Sequence, residues 1–65
     1  MNVGQLRVLK QDIFSSKVEN KIHEKETIFL IVKMSDKDFF YYSLIDGIVE
    51  PMSKELIELF SIELA

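Results

Sequence analysis

His23-Glu24-Lys25-Glu26 sets the chain's one histidine beside two carboxylates, the side-chain types that ligate a metal or relay a proton. A metal centre needs three or four such donors held in fixed directions. One histidine and two glutamates among lysines fit a solvated surface better. Ser35-Asp36-Lys37-Asp38 shares the acidic spacing of a calcium-binding loop, but the glycine and closing glutamate of such a loop do not follow. Ser15, Ser16, Ser35, Ser43, Ser53 and Ser61 all lie outside a Gly-x-Ser-x-Gly elbow, and there is no cysteine to act as a nucleophile. Gly4 and Gly47 are too few and too far apart to cradle a phosphate. A chain of 65 residues has little room for a water-excluding cleft that would tune carboxylate pairs. An enzyme, a cofactor and a metal are therefore not expected. Binding is what remains.

The candidates for binding are the aromatic residues. Thr27 to Pro51 holds most of the chain's aromatic and β-branched side chains, including Phe39-Phe40-Tyr41-Tyr42. On a strand, successive side chains point to opposite faces, so this run must send two rings inward and two outward. One reading makes Phe39 and Tyr41, or Phe40 and Tyr42, part of the core, with the outer pair shielded by a long loop. The functional reading leaves an outer pair as a contact patch, because tyrosine joins a large apolar area to few rotatable bonds and a hydroxyl. The expected partner-contact residues are Phe40, Tyr41 and Tyr42, with Asp36, Asp38 and Glu50 as acidic neighbours.

Charge favours a protein partner over nucleic acid. Residues 1–37 carry seven basic and five acidic side chains, and residues 38–65 carry Lys54 against six acids, so the halves are +2 and −5 within a net −3. Phosphate backbones are held by basic stripes that displace counterions, whereas here Asp36, Asp38 and Asp46 flank the rings. An acidic half suits a basic protein surface. Nucleic-acid binding through residues 1–37 remains a lesser alternative, and self-association of strand edges or aromatic faces is another.

The elements that would position these residues follow from spacing. Leu6 and Val8 alternate with Gln5 and Arg7, the period of a half-buried strand, and Leu9, Ile13 and Phe14 break that alternation, which predicts a bend or bulge near Lys10. For residues 15–26 two readings stand. Ser16 and Glu19 have capping-box spacing, with Phe14, Val18 and Ile22 four apart, as in a short helix. The stripe is one residue wide and highly charged, which favours a long loop with its tip near Glu19-Asn20. In residues 27–34 Ile28, Leu30, Val32 and Met34 point one way, and Phe29 and Ile31 the other. After a four-residue turn, Phe39, Tyr41 and Ile45 oppose Phe40, Tyr42 and Leu44. Asp46-Gly47 between Ile45 and Ile48 is a strong hairpin signal, since a type I′ turn needs positive φ at both central positions. Residues 27–50 thus read as a three-stranded antiparallel meander, with Pro51 ending or edging its last strand. Ser53 can cap one or two helical turns to about Leu59. Phe60, Ile62 and Leu64 then alternate with Ser61 and Glu63 as a final strand.

The order is strand, long loop, meander, short helical turn, strand. It resembles the small SH3-like barrels, in which a 3₁₀ turn precedes the last strand. That resemblance implies an all-β fold: one SH3-like domain over residues 1–65, with five short antiparallel strands, a long first loop and one short helical turn before the last strand. In style the chain also resembles the stand-alone small accessory proteins of bacterial viruses and mobile elements. The acidic-aromatic signature of peptide-binding SH3 domains is absent and there is no tryptophan, so a preference for proline-rich ligands is not implied. A chain of this size buries only about 60% of its unfolded surface and has no disulfide to support it. The absence of cysteine, of a signal peptide and of a long apolar run leads to the expectation of a cytoplasmic protein away from membranes. The function expected is a non-enzymatic protein-interaction module, an accessory or inhibitor that binds a host or viral protein, with a homo-oligomeric structural component as the alternative.

Overall fold

A computed structural model describes residues 1–36 and 39–64. In chain order these form β1 (Leu6–Leu9), β2 (Ile13–Phe14), β3 (Ile22–His23), β4 (Ile28–Met34), β5 (Phe40–Ile45), β6 (Ile48–Ser53), α1 (Lys54–Phe60) and β7 (Ser61–Glu63). The protein is mostly β, with antiparallel pairing throughout and one short helix. Five strands make one sheet in the order β6-β5-β4-β1-β7, and β2 pairs with β3 as a separate two-stranded piece. No ladder joins β6 to β7 among the described residues, so hydrogen bonding leaves the sheet open, with these two strands as its edges.

The meander forms where the sequence places it. The Asp46-Gly47 turn has φ of +50° and +77° at its two central residues, and Ile45 and Ile48 pair directly across it, as a two-residue type I′ hairpin requires. Pro51 lies within β6, an edge strand, where its missing N–H interrupts no ladder. Residues 15–21 form no helix. The two-residue strands β2 and β3 draw the segment into a hairpin-like excursion, in line with the loop reading.

In β4 the two-faced pattern holds only as far as a register slip between Ile31 and Lys33. Beyond it Met34 pairs with Tyr41, so Met34 lies on the side of Phe29 and Ile31, not with Leu30 as alternation predicted. A slip of one residue moves every later side chain to the other face.

At α1 the Ser53 hydroxyl accepts from the Leu56 N–H, with Glu55 in the first turn near the positive end of the helix. Ile57 turns inward. The core comprises Leu9, Ile13, Phe29, Ile31, Tyr41, Ile45, Met52 and Ile57, so β2 and α1 pack on the same side of the five-stranded sheet. Among the described residues no helix is long and apolar enough to cross a membrane.

Candidate functional site

Two places combine residue types that could act. The first is internal. His23 ends β3 and is 0% exposed, against the expectation of a solvated surface. Its partners are not Glu24 and Glu26 but two carboxylates from the β5–β6 hairpin. Nδ1 lies 2.7 Å from Asp46 Oδ2 and Nε2 lies 2.9 Å from Glu50 Oε1. Glu50 is itself fully buried. Its Oε2 accepts from the Ser15 hydroxyl at 2.7 Å, and its Oε1 also accepts from the Ser16 N–H at 3.2 Å. The Ser16 hydroxyl donates to the Pro51 carbonyl, and Lys21 Nζ approaches Asp46 at 3.9 Å.

A neutral imidazole has one donor nitrogen and one acceptor nitrogen. Both His23 contacts are therefore satisfied together only when a proton lies on each N···O line. This cluster clamps the 15–23 excursion to the β5–β6 hairpin. It has no nucleophile in line: Ser15 Oγ meets Glu50, not the imidazole, and also accepts from the Val18 N–H at 2.9 Å. Among the described residues no group of three or more His, Cys, Asp or Glu side chains is arranged to hold a metal ion.

The second place is the β4–β5 end of the sheet. Phe40 and Tyr42 point to the outer face, with ring centroids 6.0 Å apart in a T-shaped contact. Lys33 Nζ stands 5.8 Å from the centre of the Tyr42 ring. Phe39 is 70% exposed. With Lys33, Ser35, Asp36, Phe40 and Tyr42 it lines a groove of about 260 Å³. On its other side Phe39 borders a second groove, with Ser53, Lys54, Glu55, Glu58 and Leu59.

The partner-contact residues expected from sequence divide accordingly. Phe40, Tyr42 and Asp36 meet at this groove. Tyr41 does not: at 3% exposure it belongs to the core, because the strand alternation that turns Phe40 and Tyr42 outward turns Tyr41 in. Glu50 does not either, since His23, Ser15 and Ser16 enclose its carboxylate. Asp38 lies outside the described residues. Phe39, which one reading placed in the core, precedes β5 and is free of its alternation. The long 15–23 excursion does not shield the outer pair, because it is bound to Glu50 and Pro51.

Sequence reasoning missed the His23 cluster. The available signal was the apolar neighbour Ile22 and the hairpin turn that brings Asp46 and Glu50 near each other, but nothing local ties residue 23 to residue 50. Comparison with family models, with curated proteins and with solved structures finds no match for this chain.

Proposed function

We propose that the protein is a non-enzymatic interaction module on an SH3-like layout, and that it binds a protein partner at the β4–β5 end. The strand order, with an excursion after β1 and a short helix before β7, supports that layout. The observation that carries the function is Phe39. It is a large ring left in solvent as a ridge between two grooves, one lined by Phe40 and Tyr42 and the other by Leu59, Glu55 and Glu58. Exposed aromatics with a polar rim are the anchors of protein interfaces. The carboxylates beside the second groove favour a partner that presents basic side chains next to apolar ones. An accessory or inhibitor protein of viral or mobile-element origin would use such a surface against a host or viral protein.

The test compares tagged wild type with Phe39→Ala and Tyr42→Ala in pull-downs from host lysate, with and without nuclease. A nuclease-resistant partner that both variants lose by 10-fold or more, about 1.4 kcal/mol, supports the reading, provided circular dichroism shows both folded. Retention of that partner by both variants places the contact elsewhere. Capture that disappears with nuclease would indicate nucleic acid instead.

A further inference from the structure

Among the described residues nothing covers the outer face of the five-stranded sheet. Residues paired across an antiparallel ladder share a face, so the register traces its rows. Leu6 pairs with Leu30, Leu30 with Leu44, and Leu44 with Val49. Beside this row, Ile28 pairs with Val8 and Val8 with Ile62. Neither row contains an ionisable or hydrogen-bonding side chain. Lys33, Tyr42 and Phe40 lie beyond them, toward the β4–β5 end.

The chain's other elements are engaged on the opposite side. Ile57 of α1 and Ile13 of β2 lie in the core, His23 of β3 is buried against Glu50, and Met1 packs against the core. Antiparallel sheets with one solvated face alternate apolar with polar residues, whereas β4 is apolar on both faces, as strands covered twice are.

We infer that a second copy of this chain covers these rows, packing sheet on sheet about a two-fold axis. Three observations select a second copy over a foreign protein. The rows lack polar groups, and homodimer interfaces are the more apolar class, while transient ones keep polar groups to orient the partner. Among the residues that the register places on this face Lys33 alone carries a charge, and it stands at one margin, so the rows can self-pair without opposing like charges. Large side chains such as Leu44, 40% exposed, and Ile62, 51% exposed, make up the rows. With half-buried Val8 and Leu30 they present on the order of 450–500 Å² per copy, or about 900–1,000 Å² in total, the size of a weak dimer that forms only at high concentration. Two twisted sheets stacked about 10 Å apart at roughly −30° would interdigitate the rows. The rows share no residue with the partner groove at the β4–β5 end.

Sedimentation equilibrium of the full chain between about 1 µM and 1 mM tests this. The expected result is a wild-type mass that rises from one to two chains, together with melting that shifts upward with concentration. Leu44→Glu, whose side chain points into solvent in a single copy, should stay a monomer at every concentration. Ile62→Glu, on an edge strand, does the same should Leu44→Glu fail to fold. Leu59→Glu on α1, away from the rows, should dimerise as wild type does. A wild type that is monomeric throughout overturns the inference. So does a dimer that survives both substitutions, which would move the contact to the strand edges. Loss of partner capture in Phe39→Ala leaves this dimer unchanged, so the two proposals fail separately.

Discussion

His23 holds two carboxylates from one hairpin, and one of them, Glu50, has no access to water. His23→Ala would leave that carboxylate buried with hydroxyl and amide partners but no imidazole. The expected loss is about 3–5 kcal/mol, read as a lower urea midpoint. Glu50→Gln, which keeps the shape and can still accept from Ser15, should lose less. An equal loss would mean that the negative charge itself holds the cluster. Ser43 poses the opposite case. Its hydroxyl is buried on the inner face, across from Glu50 and Ile31, with no hydrogen-bond partner among the described residues. Removing an unsatisfied polar group relieves its desolvation, so Ser43→Ala should be neutral or raise the melting temperature. A clear drop would show that the hydroxyl is used. Neither residue could be read from the sequence. Isolated polar letters in a strand look the same whether they face water or one another, and the partners of residue 23 lie 23 and 27 positions away.

At the scale of elements, legibility followed local chemistry. The β5–β6 turn, the Ser53 cap and the return to a strand at Ser61 each depend on two or three adjacent residues, and each formed where the sequence predicted. The turn offers a direct test. Gly47 has φ of +77°, and a Cβ added there would meet nothing within 4 Å, so Gly47→Ala is opposed by backbone strain alone. A loss of about 1–2 kcal/mol with an unchanged denaturant slope is expected. A larger loss would mean that the hairpin also shifts the Asp46–His23 contact. The β4 register slip and the two-residue strands β2 and β3 were not legible. A slip has no composition of its own, and two residues cannot display a period. The slip is why Met34 changed sides.

For the whole molecule, the sequence conveyed an antiparallel β protein with an excursion after its first strand, because apolar periodicity and turn residues agreed along the meander. The exposed aromatic groove was half legible. Alternation correctly turned Phe40 outward and Tyr41 inward once the start of β5 was known, but Phe39 escaped the rule by preceding the strand. The core tolerates little loss. Phe29 is buried at its centre, and Phe29→Ala should remove about 3–5 kcal/mol, a large share of the roughly 5–15 kcal/mol typical of small proteins. Circular dichroism at 37 °C would then show a substantial unfolded population, and a fully folded variant would mean that the core repacks. The strand order bears on the moment of synthesis as well. Strand β1 is made early, yet it is flanked by β4 and β7, and the side-chain bond from Arg7 to Ser61 spans 54 positions. While the chain emerges from the ribosome, β4, β5 and β6 can assemble and take up β1 on one side, but its other edge stays bare until residues 61–64 have cleared the exit. A sheet that forms before β7 joins it thus holds an interior strand bare along one side, the state in which a neighbouring chain could add a strand of its own.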